Sequence, residues 1–125
     1  MIKQIKSSEI KNFISENKDV ELLDVRTQEE WDNVGKPDGE KIGIKTHFVT
    51  IVRSPKPSAN KEFIEEVKKQ INLENQLLIL CKAGGRSMMA AQLLSQEKIK
   101  CINISDGFEG NGESLGWKSE NLPFK

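Results

Sequence analysis

A run of four large apolar side chains, Leu-Leu-Ile-Leu at residues 77–80, lies in the second half of the chain between polar segments. A short, continuously apolar run is typical of a β-strand that is buried on both faces. Such strands belong to parallel sheets, in which the helices that connect the strands cover both faces of the sheet. The run therefore predicts an α/β fold with a mainly parallel central sheet.

Strand-like and helix-like segments alternate along the rest of the chain. Short apolar or β-branched segments predict further strands at residues 2–5, 20–25, 48–52 and 101–104. Helical spacing predicts helices at residues 7–17, 60–71 and 86–96, a brief helix that carries Trp31, and a short helix in the tail. The last of the three long helices is apolar nearly all round and is expected to be central. The alternation predicts one domain, residues 1–125, with helices on both faces of the sheet.

Composition excludes several classes of protein. With 19 basic and 19 acidic residues the formal net charge is zero, which argues against a nucleic acid as partner. Two Cys and one His provide neither a disulfide scaffold nor an ordinary four-ligand zinc site. No apolar signal region and no membrane-length apolar run is present, so we expect a cytoplasmic protein without a membrane partner.

The chemistry is concentrated directly after the apolar run. Cys81 follows the strand, and a six-residue turn that ends at Arg86 leads into the next helix. In open α/β sheets ligands bind beyond the carboxyl ends of the strands, where Cys81 is expected. Gly84 and Gly85 permit positive φ angles that let backbone amides converge on an anion. The helix amino terminus, Lys82 and Arg86 all favour a thiolate over a thiol.

Two other readings of this segment compete with a reactive thiol. A free Cys in an apolar strand is often only a core residue, but the Gly pair, the two basic residues and the helix start favour reactivity. A phosphate-binding NTPase loop is excluded, because Gly85 is followed by Arg86 and not by Lys.

Three motifs resemble the single-domain rhodaneses, a family of sulfurtransferases. The loop Cys-Lys-Ala-Gly-Gly-Arg-Ser at residues 81–87 resembles their active-site loop, Cys-x-x-Gly-x-Arg-Ser. Leu-Asp-Val-Arg at residues 23–26, followed by Glu30 and Trp31, resembles their upstream signature. Asp-Gly-Phe at residues 106–108, and Trp117 ahead of Leu-Pro at residues 122–123, resemble their C-terminal ending. The resemblance implies a rhodanese-like fold and a sulfurtransferase activity.

The chain departs from the family after the upstream signature. Family members carry Gly-His-Ile-Pro-Gly-Ala where residues 35–39 read Gly-Lys-Pro-Asp-Gly, and the stretch at residues 33–59 is longer than usual. This stretch is expected to be an elaborated connection that forms either a pocket rim or a partner surface.

The length of the Cys loop separates two chemistries on this fold. Four residues lie between Cys81 and Arg86, whereas the related dual-specificity phosphatases of the cell-cycle type have five. The shorter loop fits a sulfur atom better than a tetrahedral phosphate. A Cys-dependent phosphatase or an arsenate reductase is therefore the weaker enzyme alternative. A non-catalytic rhodanese-like binding or sulfur-carrier module, with Cys81 idle, is the other alternative.

The resemblance implies covalent catalysis at Cys81 without a metal or organic cofactor. Cys81 would take a sulfane sulfur from a donor such as thiosulfate, hold it as a persulfide and pass it to cyanide or a thiol. A protein persulfide is a further candidate donor. The binding loop would consist of Lys82, Ala83, Gly84, Gly85, Arg86 and Ser87.

Each polar residue of the loop has two possible roles. Lys82 either attracts an anionic donor or is a solvated surface residue. Arg86 either orients the loop or pairs with a carboxylate. Ser87 either donates its hydroxyl to the sulfur or caps the helix.

The upstream signature supplies the supporting residues. Asp24 and Arg26 are expected to brace loops through hydrogen bonds. Glu30 either anchors Arg86 or serves only in a capping box with Thr27. Outside these motifs, Cys101 is expected in the core, with a resolving thiol for Cys81 as the alternative, and His47 on a loop or the surface, with a catalytic base as the alternative.

Overall fold

Five parallel strands form the central sheet of the computed structural model, which describes residues 2–53 and 58–125. In chain order the strands of this sheet are β1 (Lys3–Ile5), β2 (Val20–Asp24), β3 (Lys45–Phe48), β6 (Gln76–Leu80) and β7 (Lys100–Ile104). Two short strands, β4 (Val52–Arg53) and β5 (Ser58–Ala59), form a separate antiparallel pair. The order across the sheet is β1-β7-β6-β2-β3, so the apolar run of β6 lies in the middle.

In the part of the chain that the structure describes, four α-helices connect the strands. They are α1 (Ile10–Glu16), α2 (Gln28–Asn33), α3 (Phe63–Gln70) and α4 (Gly85–Ser95), with 3-10 turns at Ser7–Glu9 and Gly39–Ile42. The predicted capping box begins α2, because Thr27 Oγ1 accepts from the Glu30 amide and the Glu30 carboxylate accepts from the Thr27 amide. Within the described residues, none of these helices has the length and apolar character that a membrane crossing requires.

The sheet has a hydrophobic core on each face. Leu77 and Ile79 face α3 and α4. Leu78 and Leu80 face α1 and the C-terminal segment, and all four residues are at most 1% exposed. Burying a side chain of this size stabilises the fold by about 1.5–3 kcal/mol. The prediction of a parallel sheet with helices on both faces is therefore confirmed.

The strand predicted at residues 48–52 is wrong in its position. The sheet strand is β3, whose Lys45 lies beside Glu21 and whose Phe48 lies beside Asp24. An edge strand has only one neighbour and accepts polar side chains, so its polar sequence gave no strand signal. The Val49 amide still donates to the Asp24 carbonyl, after which the chain turns away. The stretch at residues 33–59 thus contains the edge of the sheet, although residues 54–57 lie outside the described part.

Two helix predictions also need correction. The tail forms turns and no helix; Trp117 is buried there, with its indole nitrogen donating to the Pro123 carbonyl over 2.7 Å. Helix α4 packs on β6 and β7 through Ala90, Ala91 and Leu94, but Met89 is 48% exposed. Apolar composition alone could not show which side of α4 faces solvent.

A buried carboxylate joins three distant parts of the chain. Asp106, two residues after β7, accepts hydrogen bonds from the Ser7 amide (2.9 Å), the Ser7 hydroxyl (2.8 Å) and the Gly116 amide (3.0 Å). These bonds tie the segment that follows β7 to both terminal regions.

We predict that Asp106→Ala lowers the free energy of unfolding by about 3 kcal/mol, because three buried donors lose a charged acceptor. Asp19→Ala, at an exposed position, is the control and is expected to change it by less than about 0.5 kcal/mol. Urea denaturation of both variants measures the effect. Equal midpoints for the two variants would contradict the prediction.

Candidate active site

Cys81 lies at the carboxyl end of β6 and is only 1% exposed. Its sulfur accepts a hydrogen bond from the Gly84 amide over 3.1 Å and lies 3.2 Å from the Ser87 hydroxyl. Helix α4 begins at Gly85, so its amino terminus adjoins the same loop. The strand, the turn and the helix therefore place a backbone amide, a hydroxyl and a helix amino terminus around one sulfur atom.

The backbone of the loop packs directly against the segment that follows β7. The Phe108 amide donates to the Cys81 carbonyl (2.8 Å), and the Glu109 amide donates to the Lys82 carbonyl (3.0 Å). Gly84 has a φ of 105°, and a Cβ there would lie 2.3 Å from the Ser105 carbonyl oxygen. Only glycine fits this close approach. The family motif at residues 106–108 did not by itself predict this contact with the loop.

The two glycines of the loop differ. Both residues permit a positive φ angle, but of the two only Gly84 adopts one. Gly85 is the first residue of α4, and a Cβ at this position would meet no atom within 4 Å. The helix has already begun at Gly85, so its backbone is right-handed there. The freedom of Gly85 to adopt a positive φ angle is therefore not used in this loop.

Ser87 lies inside the first turn of α4 and is completely buried. The N-cap residue is Gly84, so the alternative role of Ser87 as the helix cap is wrong. The Ser87 hydroxyl donates to Oδ1 of Asn103, a residue of β7 that is 1% exposed. Asn103 is not among the site residues that the sequence predicts. The available signal was a polar residue within an otherwise apolar strand.

Arg86 forms a two-bonded ion pair with Glu30, with N···O distances of 2.6 and 2.8 Å. Partial burial by itself would raise the pKa of Glu30, but hydrogen bonds from Arg86 and from the Thr27 amide outweigh it and lower this pKa to about 2. Glu30 thus serves the capping box and anchors Arg86 at the same time. The hydrogen bonds that Arg86 donates to Glu30 raise the pKa of Arg86; partial burial opposes the rise, and the negative charge of Glu30 adds to it.

Asp24 and Arg26 form a second ion pair, which is fully buried, with an N···O distance of 2.8 Å. Burial raises the pKa of Asp24, and the Arg26 guanidinium opposes that rise. Arg26 also donates to the Gly35 carbonyl (2.8 Å), and its guanidinium carbon lies 4.2 Å from the centre of the Phe108 ring. The Asp24–Arg26 pair therefore contacts the segments beside the Cys81 loop.

Lys82 and Ala83 are exposed at the outer surface of the Cys81 loop.

The register of the sheet excludes Cys101 as a resolving thiol. Cys101 lies beside Leu77, four residues before Cys81 on the neighbouring strand. Four residues of strand span roughly 13 Å, far more than a disulfide permits. Burial raises the pKa of Cys101 to about 11, so it is a neutral thiol at physiological pH.

His47 is also distant from Cys81. It lies in β3, with β2 between it and β6, and its Nε2 is 2.6 Å from the Glu21 carboxylate. The predicted loop or surface position is wrong, because the His47 side chain is 12% exposed within the sheet. Its partner and its place in the sheet give no support to a role as base for Cys81.

We predict that Gly84→Ala lowers the free energy of unfolding by at least about 2 kcal/mol, because the added Cβ meets a backbone carbonyl and the φ is left-handed. The matched control, Gly85→Ala, is expected to leave stability unchanged or raise it by up to about 1 kcal/mol. Chemical denaturation measures both. Equal destabilisation by the two changes would contradict the assigned geometry of the loop.

The ion pair of Glu30 predicts a pH-dependent difference in stability. Its pKa in the folded protein lies below the ordinary value of 4.5, so the ionised carboxylate stabilises the fold above that value. We expect wild type to melt at a higher temperature than Glu30→Gln at pH 7, and the gap to narrow as the pH falls from 4.5 toward 2. Melting curves across this range test it; a constant gap would show that the pKa is not lowered.

The chain is similar to known proteins over most of its length. The family model of the rhodanese-like domain matches residues 7–113. An uncharacterized protein of Rickettsia prowazekii is 37% identical over 128 residues, which cover all of this chain and 98% of the relative. Thiosulfate sulfurtransferase 18 of Arabidopsis thaliana is 29% identical over 105 residues, which cover 82% of this chain and 70% of the plant protein.

Solved structures share the fold. The crystal structure of Rv0390 from Mycobacterium tuberculosis superposes with a TM-score of 0.86 at 30% identity and covers 98% of this chain and 96% of that one. A rhodanese-like domain protein of Staphylococcus aureus has a TM-score of 0.66 at 24% identity, with 99% of each chain covered. The chain described above therefore belongs to the rhodanese-like domain family.

Proposed function

We propose that the chain is a thiosulfate-type sulfurtransferase that carries a sulfane sulfur as a persulfide on Cys81. The observation that carries the proposal is the surroundings of the Cys81 sulfur, which contacts the Gly84 amide and the Ser87 hydroxyl beside the amino terminus of α4. Amide donors and a helix amino terminus stabilise negative charge on sulfur. Family membership and the similarity to a plant protein named a thiosulfate sulfurtransferase support the same chemistry.

The proposed reaction has two steps and involves no net change in the enzyme. First, Cys81 loses its proton to solvent and its thiolate attacks the outer sulfur of thiosulfate. The S–S bond of the donor breaks, sulfite leaves with the bonding electron pair, and a Cys81 persulfide anion forms. Second, cyanide or a thiolate attacks the outer sulfur, and the electron pair of the broken S–S bond returns to Cys81. The product is thiocyanate or a new persulfide.

The residues around Cys81 are proposed to bind the persulfide, attract the donor and position the loop. The Gly84 amide and the first turn of α4 are proposed to hold the persulfide anion. Lys82, exposed at the outer surface of the loop, is proposed to attract an anionic donor. The Arg86–Glu30 pair fixes the start of α4, and Asp24 with Arg26 holds the neighbouring segments.

The proposed partners are a small sulfane donor and a thiol or cyanide acceptor, in the cytoplasm; a protein persulfide is a second possible donor. The four-residue spacing from Cys81 to Arg86 argues against phosphate hydrolysis. The 1% exposure of Cys81 favours one competing function, a non-catalytic binding module. An idle thiol of that kind would take up no sulfur from any donor.

Intact-protein mass spectrometry after thiosulfate treatment tests the proposal. We expect wild type and Cys101→Ser to gain one sulfur atom each and to lose it on addition of cyanide. Cys81→Ser is expected to gain none, because it lacks the nucleophile. No gain in wild type with thiosulfate, and none with a small-molecule persulfide, would contradict the sulfurtransferase and leave the binding module.

A further inference from the structure

We infer that Asn103 is a positioning residue that holds the Ser87 hydroxyl proton away from the Cys81 sulfur. In the resting protein Cys81 is then a thiol that donates its proton to Ser87. The inference rests on the proposed function in one respect, namely that Cys81 is the nucleophile. It concerns the hydrogen bonds of the resting Cys81 thiol, which must change when the thiol loses its proton and reacts.

The first step is the orientation of the Asn103 side chain, which is almost completely buried. Its Nδ2 lies 3.2 Å from the Gly84 carbonyl oxygen and 3.0 Å from Oε1 of Gln4. A backbone carbonyl can only accept a hydrogen bond, so the NH₂ group must face Gly84. The opposite orientation would bring two carbonyl oxygens together in a buried site. Oδ1 of Asn103 therefore faces Ser87.

The second step is the single proton of the Ser87 hydroxyl. Oδ1 of Asn103 carries no proton, so the hydrogen bond between the two side chains requires Ser87 as donor. That proton is then not available to the Cys81 sulfur, which lies 3.2 Å from the hydroxyl oxygen. The contact between Cys81 and Ser87 is a hydrogen bond only when the thiol donates. The Gly84 amide donates to the sulfur in either state.

The third step is the cost of forming a thiolate or a persulfide. A deprotonated sulfur has no proton to give, so its contact with Ser87 is a hydrogen bond only if the Ser87 hydroxyl donates. Ser87 can turn to the sulfur only by leaving Oδ1 of Asn103, for which no other donor is found within the described residues. A buried acceptor without a partner is unfavourable. Asn103 therefore competes with the sulfur for one proton and restrains ionisation of Cys81.

Charged groups near the loop do not remove the competition between Asn103 and the Cys81 sulfur for the Ser87 proton. The Arg86 guanidinium is held by Glu30, and Asp24 is held by Arg26, so each of these charges has an opposite partner. Lys82 extends into solvent at the outer surface, where its field is screened. A single substitution at Asn103 can therefore redirect the Ser87 hydroxyl proton to the sulfur and leave these charged groups unchanged.

Alkylation of Cys81 with iodoacetamide at pH 7 measures the effect, with Cys101→Ser present in every protein so that one thiol reacts. The thiolate displaces iodide, and the thiol proton passes to solvent. We expect N103L to be labelled about fivefold faster than its parent, the scale of one hydrogen bond. Adding Ser87→Ala to N103L is expected to abolish that gain. Gln4→Ala is the matched control and is expected to leave the rate unchanged, because Gly84 still orients Asn103.

Several results would overturn the inference. One is an N103L protein that melts cooperatively and is labelled no faster than its parent. Another is a tenfold or greater slowing by Ser87→Ala alone, since Ser87 would then already donate to sulfur in wild type. If N103L does not fold, Asn103→Ala replaces it. If neither variant folds, the labelling rate of Ser87→Ala tests the inference. A tenfold slowing then overturns the inference and a smaller change supports it.

Sulfur loading by mass spectrometry separates this inference from the proposed function. Loading of wild type together with an unchanged labelling rate in N103L would overturn the role of Asn103 and retain the sulfurtransferase. Faster labelling of N103L without loading from any donor would support the role of Asn103 and contradict the sulfurtransferase.

Discussion

The contact between two stretches of backbone, the Cys81 loop and the segment after β7, is the constraint on which the site depends. Two amides of that segment donate to the carbonyls of Cys81 and Lys82, and Gly84 approaches the Ser105 carbonyl too closely for any side chain. Backbone contacts of this kind leave little room for adjustment, because neither partner can change its rotamer. The position of the sulfur is therefore set by the strands β6 and β7 that carry the two stretches.

Two ion pairs stiffen the surroundings of this contact. Arg86 and Glu30 connect the start of α4 to the capping box of α2, while Arg26 and Asp24 connect β2 to the Gly35 carbonyl and to Phe108. Each pair neutralises its own charge, so the loop is braced without a strong net field. Hydrogen bonds to the sulfur then influence its protonation more than nearby charges do. For this reason the buried amide of Asn103, which binds Ser87, is proposed to affect the reactivity of Cys81.

Local patterns predicted much of the fold correctly. The apolar run at residues 77–80 gave the central strand, and the spacing of Thr27 and Glu30 gave the start of α2, since both signals lie within a few residues. The edge strand β3 was placed wrongly because its pairing with β2, more than twenty residues away, outweighs its polar composition. The helix predicted in the C-terminal tail is absent because apolar residues there, including Trp117, are buried by a series of turns, and burial of a side chain does not specify its backbone conformation.

The sequence by itself determined the general alternation of strands and helices, the buried strand that ends at Cys81 and the glycine-containing turn that leads into a helix. These features follow from periodicity and from the conformations that each residue type permits. Tertiary structure alone decided that Gly84 and not Gly85 makes the close approach, that Glu30 reaches Arg86, that Cys101 is far from Cys81 and that Asn103 binds Ser87. Each of these depends on which strands are neighbours and in what register. That is a property of the whole sheet, because residues distant in the chain meet only once it has formed.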